Sequence, residues 1–376
     1  MLRSEKNSNN SRVCRGFGPR TARPLRRAVA IGVGLSTGLA LGAIPIAGAS
    51  ASVHGPKAPN GGKSPKSSIV IGFSQSYTGN SYRKALDVAF NKEAAALEKE
   101  GRINSVKFED ANNSASTQES QISDLILEHV SVLLIDPASP TALNGVIAKA
   151  ASAHIPVLVF NDGPVTSKVP YQLDFNNPLM DEVMAKYIAK RLHGSGNVLE
   201  IRGIAGTATD EGFHQGVLRG FKPFPHIHIV GSIYGNWTES VTESAVASAV
   251  SGLPKVNAII TQGGEGYGAI KAFQAAGRRV PLVVFGNRGY SLHWWWKEHA
   301  KNGYTSMSIS ANPGIGAAAA YVGWVIASGG KVPKNMTMPL LSITQAQLHS
   351  YLSVPLTGIA IKVYPNTWYR THLLNQ

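Results

Sequence analysis

The side chains of this chain best suited to holding a small polar molecule are carboxylates and amides that stand just after apolar runs. Asp136 follows the run 132–135, and Asn161 with Asp162 follows the run 157–160. The full set is Asn80, Asp136, Asn161, Asp162, Gln262 and Asn287. Such groups offer hydrogen-bond donors and acceptors to hydroxyl groups. Each one alone is equally well explained as a helix cap, so the prediction of a site depends on their convergence.

Alternating strands and helices are needed to bring these residues together. Apolar runs typical of strands lie near 69–76, 106–110, 132–135, 156–160, 198–201, 226–230, 258–261 and 282–285. Helical spacing predicts helices over 82–100, 117–129, 140–154, 212–221, 238–251, 268–277 and 317–326. Repeated units of this kind predict parallel sheets covered by helices on both faces. Ligands of such sheets bind beyond the carboxyl ends of the strands, which is where the polar set stands.

The composition is that of a globular protein with room for two α/β domains, since 43% of the 376 residues are hydrophobic and 15% are charged. The formal net charge is +14, and half of it comes from residues 1–51. The remaining positive charge is dispersed, whereas binding to nucleic acid requires clustered lysine and arginine. We therefore expect no nucleic-acid partner.

Residues 1–51 are predicted to be a cleaved export signal. A basic stretch ends at Arg26-Arg27, an apolar run covers 28–46, and small residues suited to cleavage follow. A membrane anchor is the alternative. The only cysteine, Cys14, lies in this segment, so the mature chain would lack disulfides and thiolate ligands. Residues 52–67, rich in Pro, Gly, Lys and Ser, are expected to form a flexible linker, and the location is expected to be periplasmic or secreted.

Several short stretches, in their order and spacing, carry a family resemblance over roughly residues 68–343. They include 71–74 with 79–83, 121–126, 134–137, 155–157, 203–207, 234–238 and 268–278. In these stretches the chain resembles the type I periplasmic substrate-binding proteins of ABC importers, in the ribose/galactose-type sugar-binding group. The resemblance implies two Rossmann-like lobes with parallel sheets, a ligand cleft between them and a three-strand hinge. Expected crossings near 174–176, 311–312 and 339–341 give lobe one as 68–174 plus 313–340, and lobe two as 176–311 plus 341–376.

The resemblance also adds residues to the site. Tyr82 and Trp237 match aromatic positions on the two lobes, where stacking from both sides would clamp a sugar ring. Arg83 is able to hydrogen-bond ligand hydroxyls as a fork. The alternatives are core packing for the two aromatic residues and a solvated helix face for Arg83.

The chain departs from the family pattern at two positions. Asn161-Asp162 stands where the family usually has Asp-Arg, and Glu211 stands near a position that often holds arginine. Because both arginines are missing, a more acidic site is expected. The candidate ligands are therefore a neutral sugar, a polyol or an amino sugar.

The favoured function is capture of a sugar-like molecule and its delivery to the membrane permease of an ABC transporter, by a monomeric protein without enzymatic activity. A ligand sensor of the same fold and a secreted α/β enzyme are the alternatives. No cofactor or metal is expected: the glycine-rich 263–268 lacks the ending of a phosphate-binding loop, and His226 and His228 have no third ligand nearby in sequence.

Overall fold

A computed structural model describes residues 67–375. The predicted export signal and nearly all of the predicted linker lie outside this range. Among the described residues, no helix has both the length and the apolar character needed to cross a bilayer.

Strands and helices alternate through most of the described chain. The strands are β1 (Val70–Gln75), β2 (Ser105–Asp110), β3 (Val132–Asp136), β4 (Val157–Phe160), β5 (Tyr171–Asp174), β6 (Ser195–Arg202), β7 (His226–Tyr234), β8 (Ala258–Thr261), β9 (Leu282–Val283), β10 (Ser308–Ser310), β11 (Asn335–Thr337) and β12 (Leu341–Ile343). The helices are α1 (Ser81–Lys99), α2 (Ala115–Leu127), α3 (Asn144–Ser152), α4 (Asn177–Arg191), α5 (Ala208–Phe221), α6 (Glu239–Ala249), α7 (Gly266–Ala275), α8 (Gly289–Asn302), α9 (Ile315–Ala327) and α10 (Asn366–His372).

The first lobe is built on a parallel sheet with strand order β11-β5-β4-β3-β1-β2. Helix α1 turns Leu86, Phe90 and Leu97 into its core, and the alanine-rich α9 packs beside it. The two helix backbones approach so closely that a side chain at Gly316 would collide with the carbonyl of Leu86. The core of this lobe therefore depends on small residues in α9.

The second lobe has a parallel sheet with strand order β7-β6-β8-β9. A parallel bridge from Phe285 to Ser308 adds β10, which pairs antiparallel with β12. Two sheets with helices around them confirm the predicted fold class of two α/β lobes. Helix α8 carries three consecutive tryptophans, of which Trp295 is fully buried in the core and Trp296 is partly exposed. His226 and His228 lie on the exposed side of β7.

The described chain crosses between the lobes four times. Three crossings, at 175–176, 311–314 and 338–340, lie near the positions expected for the hinge. The fourth runs through 361–363, after which Tyr369 and Leu373 pack into the core of the first lobe. The assignment of all of 341–376 to the second lobe therefore needs correction, because α10 is anchored against α9.

Candidate ligand-binding site

A cavity of about 650 Å³ lies in the cleft and is lined by residues of both lobes. This volume is in the range of small-molecule binding sites. Seven of the nine predicted site residues line the cavity, whereas Asp136 and Asn287 do not. The fold therefore brings most of the predicted site residues together at the carboxyl ends of the strands.

The wall from the first lobe is organised around Arg83, at the beginning of α1. Its guanidinium forms ion pairs with both Asp136 and Asp162 and is nearly buried. The amide of Asn161 donates to Asp136 Oδ2 at 3.0 Å, and Tyr82 Oη donates to Asn161 Oδ1 at 2.6 Å. Each member of this network is held by another, which fixes the orientation of Tyr82 and Asp162 toward the cavity.

Asp136 was predicted to contact ligand, and the structure instead places it behind the wall. Its side chain is fully buried, and one carboxylate oxygen accepts from both Arg83 and Asn161. The backbone carbonyl of Asp136 is fixed by Gln118 Nε2 at 2.9 Å. Asp136 therefore positions Arg83 and Asn161 rather than touching the cavity.

Asn80 combines the two roles that its sequence position left open. Its Oδ1 accepts the backbone N–H of Arg83 at 2.9 Å, so it caps α1. Asn80 also lines the cavity. Its amide nitrogen is thus the group suited to a ligand acceptor, while its oxygen is committed to the helix.

The wall from the second lobe is organised around Trp237. Asn236 and Trp237 both have φ of 51°, a left-handed conformation uncommon for such residues and often found at functional sites. A Cβ atom on Gly203 would lie 2.1 Å from indole Cε2, so only glycine leaves room for the ring. The indole Nε1 donates to Gln262 Oε1 at 3.2 Å. The turn therefore presents a fixed indole to the cavity.

Gln262 lines the cavity, yet its amide is already occupied by protein groups. Its Oε1 accepts from Gly203 N at 2.8 Å and from Trp237, and its Nε2 donates to Asp210 Oδ1 at 2.9 Å. Asp210 is in turn paired with Arg202. Gln262 is therefore better suited to holding Trp237 than to binding ligand.

Asn287 is fully buried at the hinge, so the prediction of direct ligand contact is not supported. Its Nδ2 donates to Ser310 Oγ at 3.0 Å and to the carbonyl of Leu341 at 2.7 Å. Its Oδ1 accepts from Ser308 Oγ at 2.5 Å. Asn287 thus ties together β10, β12 and the end of the preceding strand.

Arg288 was not among the predicted site residues, yet it lines the cavity. It directly follows Asn287 in the chain. It is 8% exposed, and its Nη1 donates to Ser81 Oγ of the opposite lobe at 2.5 Å. With the described residues its guanidinium forms no ion pair. A second bond across the cleft runs from Thr209 Oγ1 to the carbonyl of Asp162 at 3.1 Å. The signal was present in the sequence, since Arg288 follows the same strand end as Asn287.

The expectation of a more acidic site is wrong for the cavity itself. Glu211 is largely exposed, pairs with Arg202 and does not line the cavity. The charged lining consists of Arg83, Asp162 and Arg288. Two arginines thus occupy the cavity, from positions other than those at which the family pattern has them.

The buried carboxyl of Glu265, which follows the cavity residue Gly264 in the chain, predicts a pH-dependent stability. Burial raises the pKa of Glu265 to about 8 from an ordinary 4.5, although nearby Arg288 opposes the shift. The folded protein then keeps a proton that the unfolded chain releases between these values. The free energy of unfolding should fall as pH rises through this window, by up to about 1.4 kcal/mol per pH unit.

Urea unfolding at pH 5, 6, 7 and 8 tests this expectation. Glu265→Gln should flatten the decline relative to the natural protein, because the amide stays neutral at every pH. Glu98→Gln, at an exposed helix position, serves as the control and should leave the decline unchanged. Equal slopes for Glu265→Gln and the natural protein would contradict the assignment.

Comparison with known proteins gives the family. The model of the periplasmic binding protein domain matches residues 71–331. A ribose import binding protein of Bacillus subtilis is 26% identical over 286 residues, which cover 74% of this chain and 88% of that protein. A xylitol-binding protein of Mycolicibacterium smegmatis is 27% identical over 176 residues, 46% of this chain and only 50% of that protein.

A solved structure supports the same relationship. The solute-binding protein of an ABC transporter from Thermobispora bispora is 28% identical, with a TM-score of 0.75, and the match covers 81% of this chain and 94% of that one. The family model covers more than half of the chain and includes all of the cavity-lining residues except Ile359. The protein therefore belongs to the periplasmic binding protein domain family.

Proposed function

We propose that this protein is an extracytoplasmic solute-binding protein that captures an uncharged sugar or polyol and delivers it to the permease of an ABC importer. The observation that carries the proposal is that the two lobes bring different polar groups, and one aromatic residue each, to the same cavity. The first lobe contributes Tyr82 and the acceptor Asp162, and the second contributes Trp237 and the donor Arg288.

The charge distribution supports a neutral ligand. Asp136 and Asp162 share Arg83, which leaves that cluster with one excess negative charge, and Arg288 supplies one positive charge on the opposite lobe. A hydroxyl both donates and accepts, so a polyol can satisfy both walls without bringing its own charge into a partly buried site.

The aromatic residues support a ligand with C–H faces. Tyr82 and Trp237 come from opposite lobes and both line the cavity. Flat side chains of this kind provide apolar area beside the polar groups, as the rings of sugars require.

The relatives support the same class of ligand and the transport role. One is named for ribose import and another for xylitol binding, and the matched solved structure is the solute-binding protein of an ABC transporter. Transport therefore has stronger support than a signalling role. We further propose that residues 1–51 direct export, that the mature protein acts as a monomer and that it has no catalytic role.

A thermal-shift screen tests the proposed function. The probes are xylitol, ribitol, myo-inositol, D-ribose and D-allose, with D-gluconate and D-glucosamine as charged counterparts. A neutral probe at 100 times its dissociation constant should stabilise the folded protein by roughly 2.7 kcal/mol, because it binds only that state. The charged counterparts should shift the melting temperature less. If high concentrations of every neutral probe leave the melting temperature of the protein unchanged, the proposed ligand class is wrong.

A further inference from the structure

The segment 355–374, here called the C-terminal strap, connects the two lobes in addition to the three expected crossings. On the second lobe it is held by backbone bonds from Gly289 N to Gly358 O and from Ala360 N to Asn287 O, both 2.9 Å. An antiparallel bridge pairs Arg288 with Ile359 between them. The strap therefore fixes the backbone on both sides of Arg288.

The strap is also attached to the hinge and to the first lobe. Asn312, fully buried in the 311–314 crossing, donates from Nδ2 to Lys362 O at 2.6 Å and accepts from Lys362 N at 3.0 Å. Beyond this point Tyr369 packs against Tyr321 of α9, with ring centroids 5.6 Å apart. A movement of the lobes must therefore act on the strap as well.

The strap reaches the ligand cavity through a single apolar side chain. Ile359 is 7% exposed and lines the cavity, whereas Ile361, two residues later, is 39% exposed and does not. Ile359 lies in the stretch that pairs with the second lobe, whereas Ile361 lies where the strap crosses to the first lobe. The paired backbone places Ile359 beside Arg288 at the cavity.

We propose that the C-terminal strap is part of the ligand-binding site, with Ile359 as a specificity-determining residue and the strap's backbone as the support of Arg288. The inference rests on the proposed function, because it assigns residues to the binding of the same polyol or sugar. Arg288 offers donors to hydroxyl oxygens, and Ile359 offers an apolar surface to an adjacent C–H face. Ligands that present a hydroxyl toward Ile359 are disfavoured, because that hydroxyl loses its water without gaining a partner.

A pair of matched variants tests the assignment. Isothermal titration with the neutral probe that gives the largest thermal shift should show at least a tenfold weaker affinity for Ile359→Ala, roughly the effect of removing methylene contacts from an apolar pocket. Ile361→Ala, the same change at an exposed strap position that does not line the cavity, should alter affinity less than twofold. Ile359→Trp should weaken binding further by placing a larger ring in the part of the cavity beside Arg288, with an unchanged circular dichroism spectrum.

A labelling experiment gives a readout that needs no ligand. Cys14 is the only cysteine of the chain, so a Cys14→Ser background permits labelling at one chosen position. A thiol-reactive maleimide should label Ile359→Cys at least tenfold more slowly than Ile361→Cys. Equal labelling rates would show that residue 359 does not face an enclosed cavity, and the inference would be wrong.

The outcomes separate the inference from the proposed function. If the natural protein binds a probe and Ile359→Ala binds it equally well, the proposed function stands and the inference is overturned. If no probe binds, the proposed ligand class fails, and the labelling rates alone decide whether Ile359 belongs to the cavity.

Discussion

Trp237→Ala is expected to weaken binding of the neutral probe by roughly 30-fold or more, the loss typical of a central aromatic contact. The indole lines the cavity and is held over Gly203 by Gln262. A tryptophan of the core would instead cost about 3–5 kcal/mol of stability when truncated. Because Trp237 is only half-buried, the melting temperature of the empty protein should change little. Titration calorimetry and thermal unfolding measure the two effects separately.

Two further variants test whether the loss of binding depends on the position of the Trp237 indole in the cavity. Gly203→Ala keeps the indole but brings a Cβ atom within 2.1 Å of its resting position, so it should also weaken binding. Trp296→Ala removes a partly exposed tryptophan that does not line the cavity and should leave affinity unchanged. An unstable Trp237→Ala variant that binds normally would make Trp237 a core residue and remove the main aromatic support for a sugar ligand.

Arg83→Met is expected to destabilise the protein by about 3–5 kcal/mol, because the carboxylates of Asp136 and Asp162 lose their shared cation. Asp136 is fully buried and has no access to water as a substitute. Urea unfolding at pH 7 measures the loss. Lys84→Met, at the next and exposed position of α1, is the control and should change the free energy of unfolding by less than about 0.5 kcal/mol.

Neutralising the partners tests the cause of this loss. The triple variant Arg83→Met, Asp136→Asn, Asp162→Asn removes the charges along with the cation, so it should recover a substantial part of the stability. Its affinity for the neutral probe should nevertheless stay below that of the natural protein, because Asp162→Asn weakens the hydrogen-bond acceptor of the first-lobe wall. If Arg83→Met is as stable as the natural protein, the ion pairs do not hold the wall together.

The amino-acid sequence by itself was sufficient to determine the alternating α/β architecture. Long apolar runs and helical spacing are local signals, and they predicted strands such as 132–135 and helices such as 82–100 within a few residues of the observed bounds. Helix α4 was missed because its buried face includes Asn177 and Asp181 while Leu179 and Val183 are exposed, so its apolar stripe is indistinct. Helix α8 was missed because its tryptophans face both the core and the solvent.

The tertiary structure decided which of the polar residues line the cavity and which only position other groups. Asp136, Asp162 and Asn287 have similar positions after strands, yet only Asp162 lines the cavity. The difference arises from neighbours distant in sequence, Arg83 for Asp136 and the hinge segments for Asn287. A strand end places a side chain at the edge of the sheet, but partners from other segments determine whether it has groups left for a ligand.

The C-terminal strap is the clearest case of a structure that the sequence alone did not predict. In the sequence, residues 357–363 form only a short apolar segment, and nothing in their spacing indicates a contact with Arg288 or a return to the first lobe. Periodicity describes which face of a segment is apolar, whereas its location depends on the surface available to cover that face. For this protein the sequence determined the two-lobe framework and the edge of the sheets at which the cavity lies, and only the packed structure decided which side chains form the cavity.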